Sequence, residues 1–575
     1  MERLKRLFTV DSVSGAALLI AFFTLLSQIT AFFRDRVLVG TFGAGEILDI
    51  YYAAFKVPDL IYAIVSAFFS AVIIIPLLNK AGEENGWTQI QKVFSNFLNF
   101  LLLLLIPVSL LAYFFSPEIV RIYLPGFSVE SQNSVTALVR IMLLQPIFLG
   151  LSGLISCLAQ AQRRFLAFSL APVMYNFGII FGVVFFYKSF GIKGLAWGVV
   201  LGAILHLLTQ SVMLLKDWGQ GKFSYSLDLN FREIFQLLKS SNFRALGIFL
   251  QQIKYFALTF FASLFGIGVL SVFQISFNLF SVFVTLLAVS FATASFPVLS
   301  KLYAEKNHRA LAEEILSSIK YLLLLTLPIS FYVILMRAQL VRIILGGAGL
   351  SWEATRLIAF SFALMSSLLL VQALSYFLNR VAYASHDVQS PFFSQLFGTL
   401  VMIFFLWLAA AWGEEKILSQ DLFPKISNLL RIDLADFSSV KALILPLAVC
   451  LETLISTFFL VYFLRRKNTF PFLALKSLQK TLIDSLLASG LLFLSVYLFL
   501  RLFEPLLQIQ IGEYTTLPGL ILQTSLTSVF GFLVWYLVLK YRKNEEIQSL
   551  EVNLKNKIWQ KKIELPVNLS DIRPE

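Results

Sequence analysis

Two cysteines and three histidines in 575 residues leave little from which to build a metal centre or a disulfide framework. Cys157 and Cys450 each sit inside an apolar run. The chain has no Gly-rich Walker loop, no HExxH pair and no soluble stretch long enough to hold a nucleotide, so an ATP-driven pump is not expected. Charge is scarce as well: 14% of residues are Asp, Glu, Lys or Arg, where soluble domains carry roughly 25%. Strand-like alternation of polar and apolar residues is missing too. Hydrophobic residues fill the chain instead, at 58% with a mean hydropathy of +0.81. Backbone groups in lipid must be satisfied within their own segment, so this composition predicts an all-α polytopic membrane protein.

A hydrocarbon core about 30 Å thick takes roughly 20 apolar residues per helix. On that rule the sequence predicts about fourteen spans, near residues 14–39, 47–79, 92–115, 133–159, 166–187, 193–214, 243–265, 268–299, 313–336, 354–380, 389–411, 441–463, 481–501 and 515–540. The opening "MERLKRLFTV" runs straight into the first span without a small-residue cleavage site and reads as a start-transfer segment. Connections on the side of the N-terminus hold 28 Lys and Arg, and those on the opposite side hold 11. The positive-inside rule then puts both termini in the cytoplasm. The net charge of +13 reflects this bias and a basic tail suited to anionic headgroups, with no sign of a nucleic-acid surface.

The chain echoes itself at an offset of 221 residues. "IPLLNK" from Ile75 returns as "FPVLSK" from Phe296, "LLIPVSL" from Leu104 as "LTLPISF" from Leu325, and "VRIYL" from Val120 as "VRIIL" from Val341. Each copy holds six spans, an even number, so both insert the same way up and should be related by an axis along the membrane normal, as in parallel-repeat transporters. The expected organisation is an N-terminal six-helix bundle over 1–215, an amphipathic cytoplasmic linker over 216–240 and a second six-helix bundle over 241–464. Two further spans follow in 465–540, then a basic cytoplasmic tail in 541–575. The segment 412–441 reads as an amphipathic stretch on the outer surface. Two such bundles leave a central cleft between them.

Charges inside spans are the functional signal, because each costs about 2.5–3.5 kcal/mol at the bilayer centre unless it faces a cavity or a partner. Between Ile29 and Asp59 the chain holds Arg34, Asp35, Arg36, Asp49, Lys56 and Asp59. Ser27, Thr30 and Arg34 share one helical face, as do Asp49 and Lys56, while Lys56 and Asp59 are spaced to pair and Pro58 should open the helix between them. Arg34, Asp49 and Lys56 are expected to face the cavity and Arg36 to reach the outer headgroups. In the second half, Lys254 sits among Gln251, Gln252 and apolar residues on the helix that the repeat places opposite the first span. His206 reads as a satisfied intramembrane histidine, and Glu452 as a polar contact toward the last two spans.

The run "FRDRVLVGTFGAGEILDIYYAAFKVPDL", together with "QRRFLAFSLAPVMYN", "ATASFPVLSKLYAEKN" and "YASHDVQSPF", resembles the MurJ (MviN) family of bacterial lipid II flippases, in the MOP exporter superfamily. The resemblance covers at least the first twelve spans. It implies a flippase that carries an undecaprenyl-diphosphate-linked peptidoglycan precursor from the inner to the outer leaflet of the bacterial cytoplasmic membrane by alternating access, without covalent chemistry. It also implies a cationic cavity for the diphosphate, membrane lipids and cell-wall synthesis proteins as partners, and no cofactor, with coupling to a monovalent ion or the membrane potential left open. Arg34, Asp35, Asp49 and Lys56 match family positions, whereas Gln28, Tyr62 and Asn278 stand where the family carries arginine. Lys254 is expected to restore one lost cation, facing the central cleft beside Gln28 and Asn278. The alternatives are an exporter of another lipid-linked oligosaccharide, a cation-coupled drug exporter, and a transport-inactive scaffold for cell-wall enzymes.

Overall fold

The computed structural model describes residues 13–559 except 69–70, 163, 218–224, 228–229, 231–241, 348, 413–439, 468–474 and 508–516. Most of the expected linker, nearly all of 412–441 and the last sixteen residues of the tail lie outside the described residues. Among the described residues every regular element is helical. The first half contains α1 (Val13–Phe42), α2 (Glu46–Ala54), α3 (Lys56–Phe68), α4 (Ala71–Phe114), α5 (Ser116–Tyr123), α6 (Val129–Met142), α7 (Leu144–Ala161), α8 (Phe165–Phe181) and α9 (Ile192–Asp217). The second contains α10 (Asn242–Phe265), α11 (Val269–Phe283), α12 (Ser290–Ala304), α13 (His308–Leu345), α14 (Trp352–Ser367), α15 (Leu369–Ala384), α16 (Gln389–Trp412) and α17 (Ile444–Arg466). Then come α18 (Leu475–Leu507), α19 (Leu517–Tyr541) and α20 (Glu545–Trp559).

Eleven helices among the described residues are long and apolar enough to cross a membrane, and twelve if α14 and α15, bent by 50° at Leu368, form one span. The first two of the fourteen expected spans, which carry the charges between Arg34 and Asp59, fall outside that count. Local chemistry explains the breaks. The second span parts at Phe55, which places Pro58 in the first turn of α3, where its missing N–H is harmless. Likewise Pro146 falls in the first turn of α7, just after the break at Leu143. The loop expected over 80–92 is instead bridged by helical hydrogen bonding. Gly86 nevertheless has φ of 64°, and one left-handed residue cannot sit in a straight right-handed helix. A Cβ on Gly82 would lie 3.1 Å from Ile90 Cδ1, although eight residues of straight helix span about 12 Å. The chain therefore doubles back at Gly86, and the reversal needs no loop.

Two close contacts fix the bundles. Where α8 and the π-helical turn that continues it (Gly182–Phe186) run along α9, Gly178 and Gly182 meet Gly202 and Gly198 so tightly that a Cβ on Gly178 would lie 2.3 Å from the Gly202 Cα. Small residues at this spacing let membrane helices touch backbone to backbone. In the second half, the "SHD" turn acts as a cap: Asp387 accepts from the backbone N–H of Gln389 and Ser390, from the Ser390 hydroxyl at 2.6 Å and from Lys467 Nζ at 2.9 Å. Burial alone would raise the Asp387 pKa, but these donors outweigh it and hold the carboxyl below its usual range. Arg542 ties the end of α19 to Asp484 of α18 at 2.8 Å, and Lys320 joins this last group of helices to the second half through Glu546 at 2.9 Å. Through Lys320 the terminal helix α20 thus docks on α13.

Candidate functional site

The polar residues of α1 meet those of α8 and α11 in one chain of hydrogen bonds that crosses from half to half. Arg34 donates through Nε and Nη2 to Asp35 Oδ1 at 2.9 and 2.7 Å, and through Nη1 to Asn176 Oδ1 at 2.9 Å. Asp35, 4% exposed, accepts from Asn278 Nδ2 at 3.1 Å with its other oxygen. Gln274 Nε2 then donates to Asn278 Oδ1 at 2.9 Å, and Lys56 Nζ to Gln274 Oε1 at 3.4 Å. Asn176 in turn donates to the Ser27 carbonyl and the Thr30 hydroxyl, so the polar stripe of the first span faces α8.

These groups line a cavity of about 170 Å³ between the halves, walled also by Tyr51, Tyr52 and Tyr175. Arg34 and Lys56 are balanced there by Asp35 and Asp59. Its two cations and two carboxylates match in number, and the hydrogen bonds along its wall join the halves. Lys56 does not close on Asp59 as its spacing suggests. It reaches toward Gln274 and lies 5.7 Å from the Tyr255 ring centroid, while Asp59 accepts from Gln145 Nε2 at 3.3 Å.

Asp49 and Arg36 depart from their expected places for one reason: each meets a helix end of the opposite half. Asp49, 1% exposed, does not line the cavity. Its two carboxylate oxygens accept from the backbone N–H of Gly268 at 2.5 Å and of Ser271 at 2.7 Å, capping the N-terminus of α11. Arg36 does not go to headgroups, because its Nη1 donates to the carbonyls of Ile343 at 2.7 Å and Ile344 at 3.4 Å at the end of α13. Acid meets a positive helix end and base a negative one, so both contacts gain from the helix dipoles. Beside them Gly349 N donates to Gly40 O at 3.0 Å, and a Cβ on Gly349 would lie 2.6 Å from that oxygen. Backbone thus seals this end of the cleft.

Lys254 also moves from its expected place. It donates from Nζ to Glu452 Oε2 at 2.6 Å inside a separate cavity of about 400 Å³, between α10, α15, α16 and α17. Asn278 lines only the central cavity and Gln28 lines neither. Its charge is neutralised by Glu452, which turns to α10 rather than to the last two spans, so Lys254 cannot replace a missing arginine. Removing it should leave a buried carboxylate unpaired. Lys254→Ala is therefore expected to lower stability by about 3–5 kcal/mol, read as a lower Tm of the purified protein, and Lys254→Met with Glu452→Leu should recover most of that loss. His206 Nδ1 bonds Ser152 Oγ at 2.7 Å, which makes it a satisfied structural group.

Sequence reasoning misses Asn176 and Gln274, the neutral amides that join the charged residues. Their only signal is a carboxamide within an apolar span, which any interhelical hydrogen bond would also require.

The sequence model of the family described as lipid II flippase MurJ matches residues 38–514. A relative from Buchnera aphidicola subsp. Schizaphis graminum, named probable lipid II flippase MurJ, is 29% identical over 472 residues, covering 77% of this chain and 88% of the relative. Among solved structures, lipid II flippase MurJ in an inward closed conformation superposes with a TM-score of 0.69 at 19% identity, over 94% of this chain and 100% of that one. An inward-facing multidrug resistance MATE transporter of the MOP superfamily gives 0.62 at 14% identity, over 77% of this chain and 95% of that one.

Proposed function

Because this chain belongs to the MurJ family of lipid II flippases, we propose that it carries the undecaprenyl-diphosphate-linked peptidoglycan precursor from the inner to the outer leaflet by rocking its two halves in alternating access. It is a multi-pass membrane transporter whose cargo is a lipid-linked molecule. The observation that carries the finer reading is the chain from Asn176 through Arg34, Asp35, Asn278 and Gln274 to Lys56. It ties the halves together by bonds that a diphosphate can take over. Phosphate oxygens would compete with Asp35 for the Arg34 fork and with Gln274 for Lys56, since charge-assisted bidentate bonds are the strong ones. Losing Arg34 to the cargo weakens the hold of Asp35 on Asn278, so loading and release of the halves are coupled.

On this reading no covalent step is needed, and the polar end closed by Asp49, Arg36 and the Gly40–Gly349 contact faces outward, with both termini in the cytoplasm. Outer closure supports loading from the inner leaflet. A monovalent ion or the membrane potential would supply the drive. The test is rescue of a bacterium depleted of its own lipid II flippase. Growth should return, lipid II should become reachable at the outer face, and a membrane-impermeant thiol reagent should label a cysteine at Ile267 but not one at His308. No rescue at normal protein level would sink the flippase assignment, and labelling at His308 would invert the orientation.

A further inference from the structure

The charges lining the central cavity are balanced, and among the described residues an unbalanced cation lines another cavity. The 400 Å³ cavity within the second half holds Lys254, Arg380 and Glu452. Lys254 and Glu452 cancel, which leaves Arg380 in surplus. Its guanidinium is half-buried and makes no hydrogen bond or ion pair among the described residues. Its contact is the Phe296 ring on α12, 5.8 Å from the guanidinium carbon to the ring centroid. A cation within a membrane protein is costly unless it faces a partner or a wet cavity. Arg380 faces such a cavity, ringed by neutral hydrogen-bonding groups from Gln251, Asn379 and Gln395. The cavity opens where Gln251, Tyr376, Tyr383 and Val388 are exposed, the last two at the α15–α16 turn.

We propose that this cavity is a second anion-binding site, in which Arg380 receives a phosphate or carboxylate group arriving from the inner side. The guanidinium offers a planar fork of donors that fits either group, and the amides around it supply hydrogen bonds without adding charge. The Lys254–Glu452 pair marks the deep end, and Tyr255, next in sequence, lies beneath Lys56 of the central cavity. The second site therefore adjoins the first across one aromatic ring. On the flippase reading, on which this extension rests, the occupant is an acidic part of the cargo held before or during its passage to Arg34. An anionic lipid headgroup has the same chemistry and is the competing source.

The full chain in phosphatidylcholine nanodiscs, heated with increasing inorganic pyrophosphate, tests the site. Pyrophosphate should raise the Tm of the native protein and of Arg34→Gln, while Arg380→Gln should need at least tenfold more for the same rise. Asn379→Asp keeps the guanidinium but sets a carboxylate in the same cavity, and it should lose the response too, so the result does not hang on one variant's folding. An unchanged response in both variants, a response lost with Arg34→Gln alone, or none in the native protein overturns the proposal. Nanodiscs containing phosphatidylglycerol separate the sources. If that lipid itself raises the Tm through Arg380 and abolishes the pyrophosphate effect, the occupant is a headgroup. If the effect persists and Arg380→Gln raises the half-saturating lipid II without lowering the maximal translocation rate, it is the cargo. Should the native protein fail to move lipid II, the functional reading falls, while the pyrophosphate response still decides the cavity.

Discussion

Arg34→Ala is expected to abolish rescue of flippase-depleted cells, with translocation in vesicles slowed roughly ten- to hundredfold or more. Arg34 makes three of the hydrogen bonds of the central network, and bonds to a charged group contribute about 1.5–3 kcal/mol each, where 1.4 kcal/mol corresponds to a factor of ten. Part of that loss is structural, since the change strands the Asp35 carboxylate on Asn278 alone. The double change Arg34→Ala with Asp35→Ala removes the stranded charge and should restore the Tm, yet not transport. Arg34→Lys should recover little, because an ammonium lacks the planar fork that spans Asp35 and Asn176 together. Normal translocation by the double variant would show that Arg34 only holds the fold and does not meet cargo.

The second large effect is expected at the closed end. Asp49→Ala removes both carboxylate acceptors of the N–H groups at the start of α11, a loss of about 2–3 kcal/mol for bonds to a charged group, which favours the open state roughly hundredfold. A cysteine at Ile179, 2% exposed on the wall of the central cavity, should then react with an impermeant thiol reagent added outside, whereas it stays silent with Asp49 intact. Arg36→Ala should shift the balance the same way by a smaller amount, because its carbonyl partners are only half-buried and can turn to water. If the Ile179 cysteine stays unreactive in both variants, these helix-end contacts do not hold the gate.

The comparison of sequence with structure divides along contact distance. Helix class, the break beside Pro58, and the polar stripe of Ser27, Thr30 and Arg34 follow from neighbours within a turn or two, and these were legible, whereas the break beside Pro146 was not read. Asp49 was legible as a buried acid but not as a cap, because its partner is the end of a helix 219 positions away, and a helix N-terminus carries no residue signature that points back to it. Arg36 fails for the same reason, since carbonyls at the end of α13 satisfy it and backbone is invisible in a list of side chains. Lys254 and Glu452 were both visible as intramembrane charges, and the missing step was that each is the other's reason for being there. The reversal at Gly86 was read as a loop because polar residues surround it, although one left-handed glycine is enough.

The glycine contact between α8 and α9 bears on the site through tolerance. Asn176, which holds Arg34 from α8, lies two residues before Gly178, where that helix rests on the backbone of Gly202. Side chains between helices act as cushions: they change rotamer and let a helix drift by fractions of an ångström. At this seam there is nothing to compress, so the height of α8 above α9 is set by hard contact of main-chain atoms. The carboxamide that anchors the guanidinium inherits that precision, and the half to which it belongs can tilt as a whole without letting the two fall out of register.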